Sequence, residues 1–116
     1  MSLRFAILHH TGIADPHFDL LFETHPGSDL ATWRSPVWPI ESPTAATRLK
    51  DHRRAYLDYE GEVSRRRGYV ERVAGGTCEV EVGQDAVWTV RLITGVPGTT
   101  LVLRRVGEGW EINLSS

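Results

Sequence analysis

Trp88-Thr89-Val90-Arg91-Leu92 and, further on, Trp110-Glu111-Ile112-Asn113-Leu114 alternate apolar with polar side chains residue by residue. Successive side chains of a strand point to opposite faces, so each run has one dry and one wet face, as a half-buried strand requires and a helix does not. Cys78-Glu79-Val80-Glu81-Val82 repeats the pattern, with Cys78 on the apolar side. Outward from these runs, Gly and Pro punctuation divides the chain into short strands. The expected strands are Leu3 to His10, His17 to Thr24, Leu30 to Arg34, Tyr69 to Val73, Cys78 to Val82, Ala86 to Ile93, Thr99 to Arg105 and Trp110 to Leu114. Turns are expected at Ala74-Gly75-Gly76, Gly83-Gln84-Asp85, Gly95-Val96-Pro97-Gly98 and Gly107-Glu108-Gly109. Thr44 to Lys50 and His52 to Tyr59 are short elements of either type, and a helical turn suits both. Between Ser35 and Pro43, Pro36, Pro39 and Pro43 remove backbone donors and fix φ, so the segment reads as an ordered loop. The fold class is therefore all-β, a small antiparallel β-barrel or strongly curved sandwich of seven to eight strands with an ordered Pro-rich loop.

A chain of 116 residues with 41% apolar residues and four tryptophans fills one core, so residues 1–116 form a single domain. The net charge of −2 gives no global attraction to nucleic acid, and any phosphate-binding surface must be local. Eight of the 13 basic residues do fall together: Arg34, Arg48, Lys50, Arg53, Arg54, Arg65, Arg66 and Arg67. Cys78 is the single cysteine, which excludes an internal disulfide framework and points to a reducing compartment. Leu3 to Leu8 is too short for a signal-peptide core, and no apolar run reaches the length of a membrane span, so a cytoplasmic protein without a membrane partner is expected.

The chemistry concentrates near the N-terminus. On a strand, His17 and Asp19 share a face while Phe18, Leu20 and Phe22 pack the other way. With a further imidazole from His9-His10, two nitrogens and one carboxylate oxygen would surround a divalent ion and leave positions open for water and substrate. Only one of His9 and His10 can face the site, because adjacent residues of a strand point oppositely. Downstream, His52 and Tyr56 are spaced to meet on one helical face, or through a strand and a turn.

Three blocks carry a resemblance to a known family. Arg4-Phe5-Ala6-Ile7-Leu8-His9-His10 followed by His17-Phe18-Asp19-Leu20-Leu21-Phe22-Glu23 resembles the opening of the 3′-phosphoesterase domain of bacterial DNA ligase D, where a histidine-ending strand leads into His-Tyr-Asp-x-Arg-x-Glu. Leu30-Ala31-Thr32-Trp33-Arg34-Ser35-Pro36 is similar to that family's Leu-x-x-Trp-Ala-Val-Pro. Asp51-His52 with Tyr56, Tyr59, Glu60 and Gly61 follows its Asp-His-x-x-x-Tyr-x-x-Phe-Glu-Gly. The resemblance implies a β-barrel with its active site on a concave polar surface. It places metal ligands, for Mn²⁺, at His10, His17 and Asp19, with His10 preferred to His9 because it ends the matching run. It gives His52 and Tyr56 phosphate-contacting and proton-handling roles. A stand-alone, metal-dependent phosphoesterase acting on nucleic-acid 3′ ends follows, with a place in DNA repair and a repair-protein partner. The family's phosphate-gripping arginine is Leu21 here, and its lysine after the Trp-x-x-Pro segment is Val37. Arg34, Arg53, Arg54 and the Arg65 to Arg67 run are the candidate replacements. The alternative is a non-catalytic β-domain of the same fold that binds nucleic acid or a protein partner.

Overall fold

The computed structural model describes residues 2–115. Nine strands run in chain order: β1 (Leu3–Thr11), β2 (His17–Glu23), β3 (Leu30–Ser35), β4 (Thr44–His52), β5 (Gly61–Glu62), β6 (Tyr69–Val82), β7 (Trp88–Leu92), β8 (Thr99–Val106) and β9 (Gly109–Leu114). All pairings are antiparallel, and their order is β1-β2-β3-β4-β9-β8-β7-β6, closed by β1 pairing with β6. Eight strands thus make a closed barrel with no free edge, and the two-residue β5 lies outside, against the start of β6. The barrel expectation holds over the sandwich, with the expected eight strands in the barrel and the short β5 outside it.

Two expected boundaries are wrong for one reason. Ala74-Gly75-Gly76 is not a turn, because β6 runs unbroken from Tyr69 to Val82 and pairs with β1 across those glycines. Their lack of side chains serves close approach instead. A Cβ on Gly76 would meet the Thr94 carbonyl oxygen at 2.5 Å, and one on Gly75 would overlap the Arg72 guanidinium. The register of β1 on β6 also slips between Ile7 and Leu8, leaving Val73 as an extra residue in a bulge. Elsewhere, Thr44–His52 is a strand, Arg54–Leu57 is one 3₁₀ turn, and the strand expected from Ala86 begins at Trp88 after a short 3₁₀ turn at Gln84–Ala86.

The barrel interior is apolar except where Arg48 enters it. Phe5, Ile7, Leu20, Phe22, Ala31, Trp33, Ala46, Cys78, Val90, Leu92, Leu101, Leu103 and Ile112 fill it, and Trp38 and Ile40 bring the Pro-rich loop into the same cluster. Trp33, fully buried, meets Trp88 and Trp110 edge-on at 5.0 and 5.3 Å between ring centroids. The Arg48 guanidinium lies 4.3 Å from the Trp33 ring centroid, so the one cation turned inward from β4 is held over an aromatic face.

A second cluster lies on the outer side of β1, β2 and β3. Ala6, Leu8, Leu21 and Leu30 point outward there, yet they are buried beneath Leu57 and Val70. This explains why Phe5-Ala6-Ile7-Leu8 is a continuous apolar run: β1 is dry on both faces. Two ion pairs hold the 3₁₀ turn over this cluster. Arg54 pairs with the buried Glu23 carboxylate of β2, and Arg4 of β1 donates to Asp58 at 2.6 Å. The Arg4 hydrogen bond also holds the Asp58 carboxyl below its ordinary range.

Candidate metal centre

Strand pairing assembles the centre. His10 lies opposite His17 in the β1–β2 ladder, and Asp19, two residues on, faces the same way beside Leu8. His9 takes the other face and stacks on Phe18, with ring centroids 4.4 Å apart and planes at 11°. The pleat therefore puts His10 in the cluster and His9 outside it. One donor atom from each of His10, His17 and Asp19 lies within 4.8 Å of the others. The position is the outer wall of the barrel, continuous with the second apolar cluster.

Both imidazoles are oriented from behind by backbone carbonyls. His10 Nε2 donates to the Arg67 carbonyl at 2.6 Å, and His17 Nδ1 donates to the Asp15 carbonyl at 2.9 Å. A carbonyl can only accept, so those nitrogens carry protons, and in the neutral imidazoles His10 Nδ1 and His17 Nε2 hold the lone pairs. The lone-pair nitrogens are the ones that face the carboxylate: His10 Nδ1 is 3.9 Å from Asp19 Oδ2, and His17 Nε2 is 3.3 Å from Asp19 Oδ1. His17 Nε2 and Asp19 Oδ1 are buried and have no hydrogen-bond partner. His17 and Asp19 are each only 4% exposed. Acceptors gathered without a donor in a buried place repel one another and lose their hydration. A divalent cation among them would remove both penalties, so the residues fit a metal, and the Arg67 and Asp15 carbonyls hold the imidazoles from behind as metal-binding histidines ordinarily are held.

The centre opens into a cleft of about 570 Å³ lined by Leu8, His10, Asp19, Arg34, Asp51, His52, Arg53, Tyr56, Val63, Arg67 and Val70. Its walls explain how distant parts of the sequence meet. Arg34 of β3 lies directly opposite Asp19 in the β2–β3 ladder. His52 reaches the cleft through a bulge. Leu30 pairs with His52 and Thr32 with Leu49, so β4 has an extra residue between them and both Leu49 and His52 face outward. His52 Nδ1 donates to the Lys50 carbonyl at 3.1 Å, which leaves Nε2 free for a ligand, and the His52 and Tyr56 rings meet edge-on at 5.7 Å. Tyr56 is carried by the 3₁₀ turn.

Of the expected cations, Arg34 and Arg53 line the cleft and Arg54 does not, being taken up by Glu23. Leu21 lies fully buried in the outer cluster and contributes only packing there, and Val37 is exposed on the Pro-rich loop. Arg67, expected only as part of the Arg65 to Arg67 run of basic residues, lines the cleft and acts through its backbone as well. Its carbonyl orients His10, and its guanidinium is tied to Ser64 through Nε and Nη2 at 2.9 and 3.1 Å. A backbone carbonyl leaves no trace in residue identity. The nearby signal is Gly68, at φ +86°, where a Cβ would overlap the Thr11 carbonyl oxygen and come within 3.3 Å of His10 Nε2.

No protein-family model matches the chain, and no curated protein matches it. The functional reading therefore rests on the geometry and on the resemblance in the three sequence blocks. No helix among the described residues is long and apolar enough to cross a membrane.

Proposed function

We propose that this protein is a divalent-metal-dependent phosphoesterase acting on nucleic-acid 3′ ends, with Mn²⁺ held by His10 Nδ1, His17 Nε2 and an Asp19 carboxylate oxygen. The observation that carries the proposal is the buried, partnerless pair His17 Nε2 and Asp19 Oδ1 at the head of a cleft bearing Arg34, His52, Arg53 and Tyr56. A divalent ion in such a site supplies Lewis acidity toward a phosphoryl oxygen. Arg34, beside Asp19, anchors the phosphate with its guanidinium fork and stands in for the arginine that Leu21 replaces. Tyr56 donates its hydroxyl hydrogen to a second oxygen. His52, with Nδ1 tied to Lys50, donates from Nε2 when doubly protonated and delivers that proton to the leaving oxygen.

The test is direct. An oligonucleotide ending in a 3′-phosphate, incubated with protein and Mn²⁺, should be converted to the 3′-hydroxyl form. His52→Ala should lower kcat by roughly 100-fold or more, the usual share of a positioned acid, without changing the fold. Arg34→Ala should raise KM about tenfold. Tight oligonucleotide binding without turnover would replace this reading with the non-catalytic module, which the buried Leu21 in place of an arginine would favour. Neither binding nor turnover would end both.

A further inference from the structure

A second cleft adjoins the first. It has a volume of about 420 Å³ and is lined by Arg53, Ala55, Tyr56, Tyr59, Glu62 and Ser64. Arg53 and Tyr56 belong to both clefts, so a ligand can extend from the metal centre into the second cleft without losing contact. Its walls are aromatic where those of the first are charged. The Tyr56 and Tyr59 rings stand 5.7 Å apart at 81° and form a corner, with the Arg53 guanidinium 6.0 Å from the Tyr56 centroid. Tyr59 is 40% exposed, yet its ring is not loose, because its hydroxyl donates to the Glu62 carbonyl. The Glu62 carboxylate and the Ser64 hydroxyl stand at the margin as polar groups, the former accepting from the Tyr69 hydroxyl at 3.3 Å and the latter from Arg67 at 3.1 Å.

A fixed aromatic corner beside a cationic, metal-competent cleft matches a ligand with a flat apolar body and an anionic end. A phosphate alone has no use for the corner. A nucleotide has both parts, because every nucleobase presents a π-face that stacks on tyrosine and attracts a guanidinium. We infer that the cleft of Tyr56, Tyr59 and Arg53 is a nucleobase subsite, which seats the base of the nucleotide whose 3′-phosphate enters the His10, His17 and Asp19 centre. The inference rests on the phosphoester reading above and adds to it the part of the substrate that is recognised. Because stacking reads the π-face and not the hydrogen-bonding edge, the subsite accepts purines and pyrimidines alike.

Calorimetric titration of the Mn²⁺-loaded protein with inorganic phosphate, adenosine 3′-monophosphate and uridine 3′-monophosphate tests the inference. Both nucleotides should bind more tightly than phosphate by roughly 5- to 150-fold, the range that one stacked base supplies. Tyr59→Ala should erase that advantage and leave phosphate affinity unchanged, whereas Tyr59→Phe should keep it. With the unaltered protein, adenosine should compete with adenosine 3′-monophosphate and not with inorganic phosphate, a result that depends on no variant. Equal affinity for phosphate and nucleotides, or no competition by adenosine, overturns the subsite and leaves the phosphoester reading standing. Failure of inorganic phosphate itself to bind the Mn²⁺-loaded protein overturns both.

Discussion

At the residue scale, what the sequence disclosed and what it hid follow from which atoms do the work. His10, His17 and Asp19 were legible because their side chains supply the donors and strand alternation sets their faces. The carbonyls of Asp15 and Arg67, which decide which imidazole nitrogen faces the carboxylate, belong to the backbone and are invisible in residue type. Gly68 was a trace of that arrangement. Its positive φ and the Thr11 carbonyl against it exclude a side chain, so Gly68→Ala should cost about 1–3 kcal/mol in chemical denaturation and weaken Mn²⁺ binding through the displaced His10 support. Unchanged stability would show that the turn relaxes freely. Cys78 is a core residue, as its place in the alternating run implied. Burial, with a smaller push from Glu79, raises its thiol to about 12. The unfolded chain loses that proton near about 8.5 while the folded chain keeps it, so the unfolded state is favoured as pH rises between those values. Stability should be indifferent to this group below about pH 8 and decline above it. Ellman's reagent at pH 8 should label the native protein only at the rate of unfolding, and rapid native labelling would contradict the buried assignment.

Irregularities between elements carry what periodicity could not. Alternation located the strands from Trp88 to Leu114 because they are wet on one side, whereas Ala74-Gly75-Gly76 imitated a turn when its function was to let the 93–98 loop approach β6. The same blindness applied to β4, in which Thr44 to Lys50 reads as neither strand nor helix because Ala45, Thr47 and Lys50 face solvent beside a bulge. That bulge has a functional consequence. Removing Lys50 and Asp51 together sets His52 directly after Leu49, on the opposite face and turned from the cleft, so that variant should keep its β-sheet circular dichroism and Mn²⁺ binding while losing phosphoesterase turnover. Retained turnover would mean that His52 does not act from this position. The 3₁₀ turn is held by burial as well as by its ion pairs, since Leu57 is 1% exposed beneath it. Leu57→Ala should therefore destabilise by about 2–4 kcal/mol in denaturant unfolding and loosen Tyr56. A loss under about 0.5 kcal/mol would show that Arg4 and Arg54 suffice.

For the whole molecule, closure of β1 on β6 divides the side chains into a largely apolar lumen and an outer wall, and the outer wall carries the candidate metal centre. The all-β class was legible from the alternating strands. The closed barrel was not separable from a sandwich, because closure depends on β1 and β6, which lie far apart in sequence and pair through glycines. The outer wall could become a site because the 51–56 and 63–67 segments flank it and make a cleft, with a buried cluster of acceptors at its head. That cluster makes an unusual forecast about sign. Without metal, and at about pH 8.5 where an ordinary imidazole is neutral, Asp19 repels the lone pairs beside it and Asp19→Asn supplies an N–H for His17 Nε2, so the variant should be at least as stable as the unaltered protein in a chelator. With Mn²⁺ at about 100 times its dissociation constant, the unaltered protein should gain about 2.7 kcal/mol, a rise in Tm of roughly 10 °C. Thermal unfolding of both proteins, with chelator and with Mn²⁺, is the decisive measurement. The metal centre predicts a large Mn²⁺ shift for the unaltered protein and none for Asp19→Asn, with the order of stabilities reversed between the two conditions, whereas equal Mn²⁺ responses from both proteins would contradict it.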